Sequence, residues 1–560
     1  MEKIKIIPLG GVRENGKNLY VVESNDDLFV LDCGLMYPEE ELFGIDAVIP
    51  DFSYLEENRS KIAGVFLTHG HEDAIGALPY FLEKFDVPVF GSELTVALAK
   101  LFAKQTGMGI EFDDYHIIDE HTEIDFNDTI VKFFNTTHTI PDSMGIAIKT
   151  GEGTIVYTGN FKFDQSAKAM YRTDLSQIAE IGKEGVLALL SDSAEAESTI
   201  ENVSDLKVAE EVLETFQNAN SRIIVAAVGS NILRIQQVFD AAVKSNKKIF
   251  ISGKNVEEIV GTALRLEKLI LPDESLIVPI EQINKFSDDQ IVVLETGAPG
   301  EPIKALMKMA TGSHSQVNVK EGDLVYIATS PSTAMEVIVA EAENLIYRVG
   351  GTVKQITDNL KASGHATPND LQLMINLLKP TYFVPVQGEY RTMAAHAELA
   401  NQVGIPFKNI FILGNGDVLA YDKDRMHATG QVIAGNTLID GVGIGDIGNI
   451  VLRDRRLLSE DGIFVAVVTI DRKNKKIASG PQIVTRGFVY VKESVELIEE
   501  TSGIVKDVVE DNLQNKKFDW GSLKQDIRDA LGKHLFQKTR RRPIILPVIM
   551  EVSANKKRRR

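Results

Sequence analysis

Residues 68–80 read THGHEDAIGALPY. His69, His71, Glu72 and Asp73 fall within five positions, directly after the apolar run AGVFLTH (63–69). That run reads as a strand delivering His69 at its C-terminal end. DAIGALPYFLEKF (73–85) reads as a helix with an acidic start. Side chains at a strand end alternate with period two, so His-x-His sends both imidazoles to one side. Neutral imidazole beside carboxylate is the usual donor set for zinc or manganese. Ala74, next in line, has nothing to offer a metal.

Around this motif the first 200 residues alternate short apolar runs with turns. IKIIPLGG (4–11), NLYVVES (18–24), LFVLDCG (28–34), IVKFFNT (130–136), GIAIKT (145–150) and GTIVYTGN (153–160) read as strands. From about Val203 the texture changes. SDLKVAEEVLETFQNAN (204–220) and NILRIQQVFDAAVKSN (231–246) read as helices, and SRIIVAAVGS (221–230) and KKIFISG (247–253) as buried strands. Such β-α-β alternation implies a parallel sheet and a separate domain. TYFVPVQGEY (381–390) and NIFILGNGDVLAYD (409–422) return to the earlier style, so the middle domain is expected to be an insertion. After GIGDIGN (443–449) a third unit is expected: a hairpin (462–487) with the basic loop RKNKK, two helices, and a closing strand PIILPVIMEV (543–552).

Composition narrows the function classes. The chain has 560 residues, and 44% of them are hydrophobic, as in an ordinary globular protein of several domains. No apolar run reaches the roughly 18 residues needed to span a bilayer, and MEKIKIIPLGG lacks the apolar core of a signal peptide. Cys33 is the only cysteine, which suits a reducing cytoplasm. A net charge of −20 argues against a uniformly basic nucleic-acid binder but not against a local basic patch. Two such clusters, KTRRRP (538–543) and KKRRR (556–560), lie near the C-terminus; the second reads either as a solvated tail or as an RNA contact.

Four further places carry side chains suited to chemistry. FNTTHTIPDS sets His138 after a strand, and VYTGNFKFD sets Asn160 after a strand and a glycine. KASGHATP holds His365 in a loop of small residues, and VPVQGEY holds Gln387 before a glycine.

Taken in order, HGHED, TTHTIPDS, YTGNFKFD, SGHATPNDLQLMINLLKP and FVPVQGEYR resemble the motifs of the ribonuclease J family. LGGVRENGKN and LDCGLMYPEEELFGIDAVIPD are similar to its N-terminal stretches. The likeness spans nearly the whole chain. It implies an α/β architecture: a metallo-β-lactamase αββα sandwich with an inserted β-CASP domain and a small C-terminal α+β domain. The expected boundaries are 1–202 and 356–450 for the sandwich and 203–355 for the insertion. A linker at 451–462, the C-terminal domain at 463–556 and a basic tail at 557–560 follow.

In that family two metal ions are held by H-x-H-x-D-H, a later His, a bridging Asp and a last His. By resemblance, His69, His71 and His138 match the ligands of one ion and Asp73 a ligand of the other. Ala74, Asn160 and Gln387 stand where the family has His, Asp and His, so Asn160 and Gln387 are at best weak ligands. Similar losses mark a ligand-poor paralogue that accompanies an intact one in some bacteria. With a single charged ligand left, the dinuclear arrangement that activates water is expected to be weakened. The expected cofactor is Zn²⁺ or Mn²⁺, as one ion or with reduced affinity.

The resemblance also assigns Asp73 and His365 catalytic roles. It assigns contacts to the RNA terminus to Lys361, Ala362, Ser363, Gly364 and His365, and further nucleotide contacts to Ser230 and Asn231. Ala194 and Glu195 in SDSAEAE depart from the family pattern. The implied activity is 5′-to-3′ exonuclease and endonuclease action on single-stranded, 5′-monophosphorylated RNA, in rRNA maturation and mRNA decay. The implied partners are a homodimer, a hetero-oligomer with a paralogue, and an RNA degradation complex. The competing expectation is a catalytically inactive RNA-binding scaffold; a small-molecule hydrolase is disfavoured by the inserted domain.

Overall fold

In the computed structural model the described residues are 4–38, 42–199, 204–296, 302–328, 336–356, 363–441, 443–489, 494–515 and 518–552. They form two compact units, residues 1–37 with 47–437 and residues 38–46 with 438–560.

The first unit is built on two sheets. One has eight strands, in the order Arg425–Gln431, Asp417–Asp422, Ile4–Gly10, Leu19–Ser24, Asp27–Leu31, Ile62–Phe66, Val89–Gly91 and Tyr115–Ile117. The other has six, in the order Tyr382–Val386, Val186–Asp192, Gly153–Tyr157, Met144–Thr150, Thr129–Asn135 and Glu123–Phe126. Tyr20, Phe29, Phe66, Phe133 and Tyr157 fill the space between them. The Phe66 and Phe90 rings stack at 4.9 Å. Helices Leu175–Glu184, Pro368–Leu378 and Tyr390–Gln402 cover the outer face of the six-stranded sheet, burying Ile178, Met374 and Ala400 against Phe134 and Phe383. Helix Glu93–Gln105 packs on strands Val89–Gly91 and Tyr115–Ile117 of the other sheet. Sheets covered on both sides need apolar residues on both faces. That is why Leu19–Ser24 is buried at every position, Ser24 bonding Thr129.

Strands Val186–Asp192 and Tyr382–Val386 lie side by side, with Leu189 opposite Phe383. The chain between them is therefore an excursion that leaves the sandwich and returns to the neighbouring position. It contains a parallel sheet in the order Lys248–Ser252, Ile291–Glu295, Ile223–Ala226, Leu324–Ile327 and Thr352–Gln355. The helices expected at 204–220 and 231–246 are Asp205–Asn218 and Ile232–Lys244. In the second unit the hairpin Ile463–Asp471 and Lys476–Arg486 takes Ile544–Glu551 as a parallel third strand. Phe464, Ala466, Val468 and Ile470 point to one face. They pack on Val505 and Val509 of helix Val495–Gln514 and on Ile527 and Leu531 of helix Trp520–Thr539. Among the described residues no helix is long and apolar enough to cross a membrane.

One local expectation differs from the structure. The helix expected at 73–85 is two short ones, Glu72–Ile75 and Leu78–Leu82. The break falls at Gly76 and Ala77. A Cβ on Gly76 would lie 2.5 Å from Leu35 Cγ, and the Ala77 amide donates to the Cys33 carbonyl instead of continuing the helical ladder. The segment expected as a linker, 451–462, lies mostly within helix Asn449–Asp461.

Candidate metal centre

His69 and His71 leave the strand Ile62–Phe66 and enter the short helix Glu72–Ile75. His138 follows the strand Thr129–Asn135 of the other sheet. One ligand nitrogen from each lies within 4.8 Å of the others. Hydrogen bonds on the outward side of each ring fix which nitrogen faces inward. Thr68 Oγ1 donates to Asp32 Oδ2 at 2.9 Å, so it accepts from His69 Nδ1, also at 2.9 Å. His71 Nε2 donates to the Ser230 carbonyl at 3.2 Å, and His138 Nδ1 donates to the Gly364 carbonyl at 2.7 Å. The inward atoms are then His69 Nε2, His71 Nδ1 and His138 Nε2, all lone pairs. His71 Nδ1 and His138 Nε2 face each other at 3.1 Å. Burial first, and the neighbouring imidazoles second, push His71 down to about 3 and His138 well below the ordinary histidine range, which disfavours a proton between them. Three converging imidazole nitrogens fit a divalent ion.

Gly364 is required for this arrangement. A Cβ there would lie 2.6 Å from His138 Cε1. Gly364→Ala is expected to displace the carbonyl that orients His138 and lower metal affinity about 10- to 100-fold. Competition against a chromogenic chelator reads the change, with the circular dichroism spectrum unaltered.

Asp73 stands beside the cluster, its Oδ1 at 3.4 Å from His69 Nε2. Its Oδ2 accepts from three amides: Asn160 at 2.8 Å, Asn18 at 3.1 Å and Gln387 at 3.4 Å. Burial alone would raise this carboxyl; His69, His71 and the Asn160 amide outweigh it and hold Asp73 well below the usual carboxylate range. Ala74 is buried, its methyl adding no donor, and Asn160 Oδ1 is buried without a hydrogen-bond partner. Neutral NH₂ groups therefore surround the carboxylate where a second cation would need anionic or lone-pair donors. As arranged, these residues fit a second ion poorly.

His365 Nδ1 lies 2.7 Å from Asp192 Oδ2, and its ring is 5.6 Å from that of His138. Burial lowers the imidazole, but the Asp192 carboxylate outweighs it and lifts His365 to about 9. The Ser363 hydroxyl accepts from the His365 amide at 3.1 Å. Ser230 is buried, its hydroxyl donating to Glu72 Oε2 at 3.3 Å. Asn231 caps helix Ile232–Lys244 by accepting from the Arg234 amide at 2.9 Å. Lys361 and Ala362 lie outside the described residues. His69, His71, Asp73, His138, Asn160 and Gln387 come together around one centre, with the Ser230 and Gly364 carbonyls and His365 beside it; Asn231 faces its own helix.

Sequence reading missed Asn18, Asp32, Thr68 and Asp192. Asn18 and Asp32 lie in LGGVRENGKN and LDCG, and Asp32 adopts φ 58°, uncommon for a residue with a side chain. Burial raises its carboxyl to about 6, and it accepts from Tyr157 and Thr68. Position in those stretches was the available signal; the contacts themselves were not.

The fold and the site define a metallo-β-lactamase-fold hydrolase with a nuclease-type insertion. Family models match along the chain: the metallo-beta-lactamase superfamily at 12–208 and the ribonuclease J beta-CASP domain at 220–344. The Zn-dependent metallo-hydrolase RNA specificity domain matches at 353–413, and the ribonuclease J C-terminal domain at 450–552. The chain is 55% identical to ribonuclease J 2 of Streptococcus pyogenes serotype M3 over 99% of this chain and all of the relative. It is 46% identical to ribonuclease J 2 of Staphylococcus aureus and of Staphylococcus epidermidis, over 98% of each pair. A crystal structure of a protein of unknown function from Enterococcus faecalis V583 aligns at a TM-score of 0.53 and 14% identity. It covers 75% of this chain and all of that one, and shares the fold. The chain belongs to the ribonuclease J family. It is a ribonuclease J-type subunit, in a family of metal-dependent hydrolases that act on RNA.

Proposed function

We propose that this subunit degrades single-stranded, 5′-monophosphorylated RNA from the 5′ end, with endonucleolytic cuts as well, in rRNA maturation and mRNA decay, and that its own rate is low. The asymmetry of the centre carries this reading: three imidazoles converge for one ion beside a carboxylate wrapped by three amides. His69, His71 and His138 would hold the ion, Zn²⁺ or Mn²⁺, with Asp73 beside it and Asn160 and Gln387 as weak donors. Such an ion supplies Lewis-acid polarisation of a phosphate and an activated water. His365, kept protonated by Asp192, offers a cation and a proton to a phosphoryl oxygen. Lys361 to His365 hold the 5′ phosphate, and Ser230 and Asn231 contact the following nucleotides. The proposed domain limits are those of the sequence reading, and the proposed setting is the cytoplasm. There the subunit joins a homodimer, a hetero-oligomer with an active paralogue, and an RNA degradation complex.

The amide cage also favours a second reading, a catalytically silent RNA-binding partner of that paralogue, because Asp73 is hydrogen-bonded without any ion. The full-length protein, incubated with 5′-monophosphorylated and 5′-hydroxyl RNA in Mn²⁺, Zn²⁺ or Mg²⁺, separates the two. Slow, metal-dependent release of nucleotides from the 5′-monophosphorylated strand is expected. No release with any ion, together with retained RNA binding, selects the scaffold.

A further inference from the structure

Charge is distributed very unevenly along this chain. The whole carries −20, yet residues 463–560 hold 21 Lys and Arg against 12 Asp and Glu. Part of that excess is gathered at one end of the three-stranded sheet of the second unit. The hairpin between Ile463–Asp471 and Lys476–Arg486 presents Arg472, Lys473, Lys475 and Lys476, all exposed. Because Ile470 pairs with Glu551, the same end of the sheet is where the chain emerges at Val552. Its sequence continues into Lys556, Lys557, Arg558, Arg559 and Arg560, outside the described residues.

The loop is built rather than splayed. Both oxygens of Asp471 accept from Asn474, at 2.9 and 2.7 Å, which closes the turn. Lys475 Nζ reaches the Gln514 carbonyl at 3.5 Å, at the end of helix Val495–Gln514. Asp519 caps helix Trp520–Thr539 through the Ser522 amide at 2.7 Å, and Glu551 pairs with Arg472 at 3.6 Å. Asp471, Asp519 and Glu551 are thus each engaged within the domain, while Lys473 and Lys476 of the hairpin stay exposed. Beside it lie two aromatic rings. Phe518 and Trp520 meet edge to face at 5.1 Å, and the Arg472 guanidinium sits 4.8 Å from the first ring centroid and 5.8 Å from the second. Both rings are only partly buried. In the basic cluster at 538–542, Lys538 pairs with Glu500 and Arg541 donates to the Phe488 carbonyl, while Arg540 and Arg542 lie over the Phe536 ring.

Cations that track a backbone, next to aromatic faces that accept bases, form the usual surface for single-stranded nucleic acid without sequence preference. We propose that the 472–476 hairpin with Phe518 and Trp520 forms a second RNA-binding surface, separate from the metal centre, which holds single-stranded RNA through its phosphates and one or two stacked bases. This rests on RNA being the substrate class of the subunit.

Trp520 is the only tryptophan, so tryptophan emission, excited selectively over the 13 tyrosines, reports on this surface. The probe is a cleavage-resistant 2′-O-methyl oligo(U) of about 20 nucleotides, longer than the stretch one such groove tracks, added to the metal-loaded, full-length protein. A saturable change in Trp520 emission that weakens steeply with added KCl is expected. The fourfold variant Arg472→Gln, Lys473→Gln, Lys475→Gln and Lys476→Gln should weaken binding about tenfold and flatten the salt dependence by about 2–3, at roughly 0.7 per lost phosphate contact. Binding seen by anisotropy with unchanged Trp520 emission and an unchanged salt slope in the variant would overturn this surface while leaving RNA binding at the metal centre standing. An equal emission change with dextran sulfate at matched charge would reduce the surface to general polyanion attraction and overturn the RNA assignment. No binding of the oligonucleotide by either readout would overturn both readings.

Discussion

Introducing Ala74→His, Asn160→Asp and Gln387→His together is expected to raise bound metal from about one ion per chain to two and to speed exonuclease release on the order of 100-fold. That factor is what one well-placed charge-stabilising group at a reacting centre is worth. The argument starts from Asp73. Its Oδ2 now draws on the amides of Asn18, Asn160 and Gln387, and that satisfaction competes with any second cation. Replacing Asn160 by a carboxylate puts two carboxylates 2.8 Å apart, which repel unless a cation or a shared proton lies between them. Hence the single variant Asn160→Asp, which requires no extra room, is expected to melt at a lower temperature in EDTA and to recover when Mn²⁺ or Zn²⁺ is added. Elemental analysis finding two ions in the unaltered protein would contradict this account of the second position.

The double variant His69→Ala, His71→Ala is expected to take bound metal from about one ion per chain to nearly none and to abolish the slow nuclease activity. Both side chains point inward with lone pairs set by Thr68 and the Ser230 carbonyl, so a single remaining imidazole, His138, cannot hold an ion. Metal that binds only the folded chain adds about 2.7 kcal/mol at one hundred times its dissociation constant. The unaltered protein should therefore melt higher in Zn²⁺ than in EDTA, and the variant should not. Undiminished activity in the variant would show that the reaction does not use this centre.

The metal motif was the most legible part of the chain because its ligands are local. The short segment between strand Ile62–Phe66 and helix Glu72–Ile75 carries His69 and His71, and the first turn of that helix carries Asp73, within five residues. The β-α-β pattern of the insertion was legible for a related reason, since strand and helix periodicity need only neighbours in sequence. The break at Gly76 was not legible, because it depends on Leu35 and Cys33, which approach from the segment after strand Asp27–Leu31.

By itself, the sequence set out the order of the domains and the three imidazoles, and its resemblance to the family marked Ala74, Asn160 and Gln387 as positions where a ligand is expected. Only the tertiary structure decided what those substitutions do. Asn18, Asn160 and Gln387 come from loops far apart in the chain, and packing two sheets face to face brings their amides onto one carboxylate oxygen. The same packing sets Asp192 against His365 and turns the Gly364 carbonyl toward His138. Hydrogen bonds act over about 3 Å, so their partners are fixed by where the chain folds, not by spacing along it.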